Sequence, residues 1–162
     1  MRTSKALLTF DVVTLMPEMF LAISDYGITG RAFKENIVNL NLWNPREFST
    51  DLHKTVDDRT YGGGPGMLMM ANPLVEAIEA AKVRQGKLGI KNSKVIHMTP
   101  RGKSLSHNEV KRLLNCKGLV IISSRYEGID ERVNDWIDEE ISIGDYVLSG
   151  GELAAMTMMD CL

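Results

Sequence analysis

The chain has 162 residues, of which 44% are hydrophobic and 25% charged, with a formal net charge of −2. Such a chain supports one well-buried core, and its charge excludes a purely electrostatic nucleic-acid binder, so an anionic partner must be held by local patches or by sequence outside this chain. Two cysteines far apart, Cys116 and Cys161, and three histidines without ligand spacing, His53, His97 and His107, exclude a disulfide scaffold and a structural metal site, as in a reduced cytosolic protein.

MRTSKALLTFDVVTLM opens like a signal peptide, but Asp11 interrupts its apolar run and no small-residue cleavage site follows. Ala6 to Leu15 is expected instead as a buried strand, stopped at Met16-Pro17. Pro17 suits the first turn of a helix whose apolar face is Met19, Phe20 and Ile23, ending before Gly27. Val38, Leu40 and Leu42 alternate with polar residues and predict a half-exposed strand. Residues 49–66 read as a long loop. Asn72-Pro73 starts a helix with Leu74, Ala77, Ile78 and Ala81 on one stripe. A basic connector, Lys82 to Lys94, leads into the strand KVIHM. Ser106 and Glu109 form a capping-box pattern before a helix with Val110, Leu113 and Leu114 inward. The strand GLVII, the loop SSRYEGIDER and a short helix carrying Val133 and Trp136 follow. No segment reaches the roughly 20 apolar residues of a membrane span.

Alternating strands and helices, with short Val- and Ile-rich later strands, predict an α/β fold with a mostly parallel sheet flanked by helices. GELAAMTMMDCL starts a final helix with a stripe through Leu153, Met156 and Met159, and shows no stop signal. The chain is therefore expected to be part of a longer protein.

SIGDYVLSGGE, residues 142–152, carries Asp145 within an apolar β-branched stretch and ends on two glycines and a glutamate. It is one of three unusual loops expected after successive strands, with TPRGK and SSRYEG. Ligands of open α/β sheets bind outside the carboxyl ends of strands, and glycine-containing loops there present unpaired backbone groups to a ligand such as an adenine edge. Gly144, Gly150 and Gly151 would let main chain lie against the ligand, with Asp145 or Glu152 fixing the loops or balancing charge. Each loop alone could equally be an ordinary turn; three in succession favour a site.

YGGGPGM, residues 61–67, lacks the Gly-Lys-Ser/Thr of a phosphate loop, and Met67 stands where a dinucleotide fingerprint needs glycine. It reads as a shaped or mobile surface loop. The neighbouring Asp57, Asp58, Arg59 and Tyr61 suit a base edge, a phosphate and a stacking surface, or else merely solvated charge. Glu127 could hold a cationic ligand, act as a base or pair with Arg125 or Arg132, and the ion pair is the plainest expectation. His97 lies in an apolar strand and reads as a satisfied core histidine, and Met67, Met69 and Met70 read as packing.

Taken together, MPEMF, DYGITGRA, TVDDRTYGGGPGMLM, RYEGIDERV and SIGDYVLSGGELAAM closely resemble the bacterial tRNA (guanine-N1)-methyltransferases, a family of the SPOUT class. The resemblance runs from about Phe10 to the last residue. It implies a deep C-terminal trefoil knot that holds S-adenosylmethionine, and a homodimer sharing its active sites. The implied cofactor loops are His97, Met98, Thr99, Pro100, Arg101 and Gly102; then Ser124, Tyr126 and Glu127; then Ile143, Gly144, Asp145, Tyr146, Val147, Leu148, Gly150 and Gly151. Asp57, Arg59, Tyr61, Gly62, Gly63 and Gly64 would approach the substrate guanine. No metal is implied, and the implied location is cytoplasmic.

Three residues depart from the family pattern: Ser124 stands for a usual glycine, Ala154 for a proline and Thr60 for a proline. The first puts close backbone approach in doubt, the second would loosen a helix start, and the third should matter little. The family's catalytic aspartate and its partnering arginine are expected beyond Leu162, ahead of a helical tRNA-binding domain, which leaves Glu127 a supporting candidate. The function implied is methyl transfer from S-adenosylmethionine to N1 of guanine 37, just 3′ of the anticodon. This chain by itself is expected to bind the donor and to methylate tRNA very poorly. The alternatives are a dimerising, cofactor-binding module without catalysis, and a related methyltransferase acting on another RNA.

Overall fold

The computed structural model describes residues 6–162; the basic residues at the start of the signal-peptide-like pattern lie outside the described residues. Five parallel strands form the central sheet in the order β2-β1-β6-β5-β7, with β1 Leu8–Val13, β2 Val38–Trp43, β5 Ser93–Ser104, β6 Gly118–Ile122 and β7 Glu139–Ser142. In a separate antiparallel pair, β3 Asp57–Arg59 lies within the stretch 49–66 expected as one loop and β4 Met67–Met69 directly follows it. Helices α1 Leu21–Ser24, α2 Gly27–Lys34, α3 Ala71–Lys87, α4 His107–Leu113 and α5 Glu152–Cys161 complete the fold. No helix among the described residues is long and apolar enough to cross a membrane.

Both faces of the sheet are covered, as its apolar strands require. On one face Phe10, Val12, Ile96, Leu119 and Ile121 pack with Phe20, Ile23, Leu113, Ala155 and Met158. On the other, Val13, Val95, Val120 and Ile122 meet Leu74, Ala77, Ile78 and Ala81, the predicted stripe of α3. The first helix begins as a 3-10 turn at Pro17–Phe20, and Val133 and Trp136 stand on another 3-10 helix rather than an α-helix. Ser106 caps α4 by accepting a bond from the Glu109 amide at 3.3 Å, as the pattern predicts.

Several boundaries differ from expectation. The basic connector is helix as far as Lys87, because Lys, Arg and Gln are good helix formers and cations suit a helix C-terminus. Leu114 sits at the C-cap of α4, half-exposed, off the inward face. In α5 the buried residues are Ala154, Ala155, Met158 and Met159, whereas Leu153 is exposed and Met156 only partly covered. Glu152 explains this phase: it is drawn inward to a buried bond with Thr14, and Ala155 and Met159 follow it at i+3 and i+7.

The strand containing KVIHM does not end at TPRGK. Met98 and Lys103 both register with Ile141 of β7, so Thr99 to Gly102 bulge out and the ladder then resumes. By contrast, β7 stops at Ser142, which leaves Ile143 to Gly150 as a loop.

Candidate functional site

Three segments, a bulge within β5 and the loops after β6 and β7, converge around a cavity of about 530 Å³. The β5 bulge contributes His97, Met98, Thr99, Pro100 and Arg101; the loop after β6 contributes Ser124, Tyr126 and Glu127. The loop after β7 contributes Ile143, Gly144, Tyr146, Val147, Leu148, Gly150 and Gly151. Two residues expected beside these do not line it. Gly102 faces β7, where an added Cβ would stand 2.4 Å from the Ile141 amide nitrogen, so its small size serves strand packing. Asp145 is exposed and outside the wall. Leu68, Ile129, Glu131, Ile141 and Ala154 also line the cavity, and none was expected there. Leu68, Ile129, Glu131 and Ala154 stand inside the quoted motifs and Ile141 just before one, but β4 reaches the site only by pairing with residues far away in sequence.

The loop from 143 to 151 is unusual in its hydrogen bonding. Among the described residues, the backbone N–H groups of residues 145 to 150 have no acceptor within the chain. Such donors need water or a ligand. The two ends of the loop, by contrast, are fixed. The Gly144 amide donates to the Ser142 hydroxyl at 3.1 Å, and the Gly151 amide to the Ser124 carbonyl at 2.8 Å. Gly151 packs so closely there that a Cβ would lie 2.9 Å from the Ser124 amide nitrogen.

His97 is buried with both ring nitrogens engaged, Nδ1 with the Glu140 carboxylate at 3.3 Å and Nε2 with the Ser124 hydroxyl at 3.0 Å. Burial pushes its pKa below the ordinary 6.5, outweighing the upward pull of Glu140. In the neutral ring Nδ1–H therefore donates to Glu140, and Nε2 accepts from Ser124. The satisfied core histidine is thus also part of the cavity wall. The Ser124 hydroxyl orients it.

Tyr126 adopts φ +61°, a strained conformation for a non-glycine residue, within the wall. Glu127 does not form the expected ion pair: Arg125 pairs with Glu152 at 3.0 Å and Arg132 with Asp130 at 2.7 Å. Its carboxylate stands exposed on the cavity wall, packed against Gly66.

The residues expected to meet a substrate base lie elsewhere. Asp57 and Arg59 are on β3, and Tyr61 to Gly64 form the turn beyond it, with Tyr61 fully exposed and none lining the cavity. Yet β4 ties this hairpin to the site through Glu127 N–H to Met67 carbonyl at 3.0 Å and Met69 N–H to Gly128 carbonyl at 2.9 Å. Thr60 has a use that proline could not serve: its hydroxyl donates to the Gly64 carbonyl at 2.6 Å and closes the turn. Of the methionines, Met69 is buried, whereas Met67 and Met70 are only partly covered.

Comparison with known proteins gives this arrangement a family. The family model described as tRNA (Guanine-1)-methyltransferase TrmD matches residues 8–162. A tRNA (guanine-N(1)-)-methyltransferase from Methylobacillus flagellatus is 56% identical, over 94% of this chain and 58% of its own length. One from Nitrosomonas europaea is 54% identical, over 94% of this chain and 57% of its own. The chain thus spans about three-fifths of the length of these curated relatives. The crystal structure of a tRNA (m1G37) methyltransferase from Aquifex aeolicus superposes with a TM-score of 0.84 at 38% identity, covering 95% of this chain and 67% of that one. With its strand-end loops, its glycine hairpin and nearly all of its length inside the match, the chain belongs to the tRNA (guanine-1)-methyltransferase family.

Proposed function

We propose that the cavity holds S-adenosylmethionine and that the chain is the donor-binding part of an enzyme methylating N1 of guanine 37 in tRNA. The carrying observation is the run of backbone amides at 145 to 150 without acceptors, beside a cavity at the carboxyl end of a parallel sheet. The residues present fit the ligand. Free main-chain groups match the edge of an adenine, Met98, Ile141, Leu148 and Ala154 give an apolar wall, and the Glu127 and Glu131 carboxylates suit a cationic group. When bound, S-adenosylmethionine supplies a methyl group already activated by its sulfonium.

The protein must then position guanine and remove its N1 proton, because N1 is a poor nucleophile until deprotonated. The glycine hairpin with Asp57, Arg59 and Tyr61 approaches the base, and its tie to Glu127 keeps it in register with the cavity. The base is an aspartate assisted by an arginine, both lying beyond Leu162 with a helical tRNA-binding domain, and Glu127 plays a supporting part. The knotted C-terminal threading, the homodimer and a cytoplasmic location belong to the same reading.

Calorimetric titration of the purified protein with S-adenosylmethionine, followed by methyl transfer to a transcript carrying G37 or A37, tests this. Binding and transfer to G37 alone are expected of the whole protein. Equal transfer to the A37 transcript would point to a methyltransferase of another RNA. Because the chain covers about three-fifths of its relatives, a dimerising module that binds the donor without transfer is the second reading.

A further inference from the structure

Behind the cavity wall Glu152, expected to fix a loop or balance charge, forms with Arg125 an ion pair that the proposed function does not use. Arg125 Nε and Glu152 Oε2 are 3.0 Å apart, both atoms sealed from solvent, yet their alignment does not make a hydrogen bond. The other atoms of the two side chains reach outward to separate segments. Glu152 Oε1 accepts from the Thr14 hydroxyl at 3.0 Å, at the end of β1. Arg125 Nη1 donates to the Ser149 carbonyl at 3.3 Å, and Nη2 lies 3.4 Å from the Met19 sulfur. The backbone N–H of Arg125 lies 3.3 Å from the Met69 sulfur on β4.

Gly150, which lines the cavity, packs against this pair. A Cβ there would stand 2.4 Å from Arg125 Nε and 2.5 Å from Glu152 Oε2, so the loop main chain rests directly on the two charges. Neither charged residue lines the cavity. The geometry points to Arg125 and Glu152 as a positioning pair, a latch that holds the 143–151 loop in the conformation presenting its free amides. The inference rests on the donor-pocket reading for its ligand. A bound ligand would then meet a preformed loop and avoid the entropic cost of ordering it.

Truncating one partner strands a buried charge and destabilises the fold whatever the pair does, so single variants do not separate latch from scaffold. Replacing both with apolar residues of similar size does. R125M/E152M should regain a thermal midpoint near that of the unaltered protein, because no charge is left unpaired. As a latch it should still bind S-adenosylmethionine at least tenfold more weakly, and the hydrogen-bonded amides at the loop's two ends, Gly144 and Gly151, should exchange faster with solvent. R125K keeps a charge facing Glu152 but loses the planar fork that also reaches Ser149. It should likewise fold and bind more weakly.

Unchanged affinity and unchanged exchange in either folded variant would overturn the latch. Failure of the unaltered protein to bind S-adenosylmethionine would instead sink the donor-pocket reading, leaving exchange of the Gly144 and Gly151 amides to decide the latch.

Discussion

Two polar regions of the molecule treat their hydrogen-bonding groups in opposite ways. Asp11, in the middle of β1, is wholly buried, and its carboxylate accepts from Trp43 Nε1 at 2.8 Å, Gln85 Nε2 at 2.8 Å and Arg84 Nη1 at 3.1 Å. Every lone pair has a use. In the 143–151 loop a row of backbone donors has none. A satisfied polar cluster specifies the fold, and an unsatisfied one marks where the fold expects company.

The contrast can be broken most forcefully at Asp11. D11A strands the Arg84 and Gln85 donors and should cost about 3 kcal/mol in urea denaturation. The folded fraction should bind S-adenosylmethionine as before; a lost affinity without lost stability would reverse the assignment of the two regions.

Gly102 tests whether the β5 bulge belongs with the fold or with the site. G102A drives a Cβ into the β7 backbone and should cost about 1–3 kcal/mol, again by denaturation. If stability were unchanged, the proposed close approach of the two strands would be wrong.

His97 sits between the regions, half scaffold and half wall. Its folded pKa lies below its unfolded value of 6.5, so the unfolded state binds more protons as pH drops past that point. Its contribution to stability is full above pH 6.5 and is lost as pH falls towards the lowered folded pKa, with a slope of at most about 1.4 kcal/mol per pH unit. Comparing H97Q with the unaltered protein at pH 7.5 and 5.5 isolates this; identical acid sensitivity would remove the histidine from the account.

The smallest effect is expected from S124G, which takes the hydroxyl from His97 Nε2. About 1 kcal/mol of stability should go with it, read as a shift in the urea midpoint. No shift would mean that water replaces the hydroxyl without loss.

How much of this was legible beforehand depends on the range of the interaction. The stripe of α3 follows from spacing alone, because Leu74, Ala77, Ile78 and Ala81 obey a helical period whatever surrounds them. The convergence of the three segments was readable because topology places them together, although the first is a bulge inside β5 and not a loop after it. The phase of α5 was not readable. It depends on Glu152 reaching Thr14, a contact across 138 residues that no local pattern encodes. Glu127 was misjudged for the same reason: its nearest arginines in sequence are taken by Glu152 and Asp130. The resumption of β5 after Gly102 was equally hidden, since it needs a β7 partner lying some forty residues later.

The strand order carries a consequence for how this protein is made. Strand β1 lies between β2 and β6, so one of its two neighbours does not exist until Ile122 has emerged from the ribosome. At about 5–20 residues per second, the nascent chain spends several seconds with that flank of β1 open. Only after β7 has followed can Gly151 bond to Ser124, so the wall of the cavity closes later than the centre of the sheet.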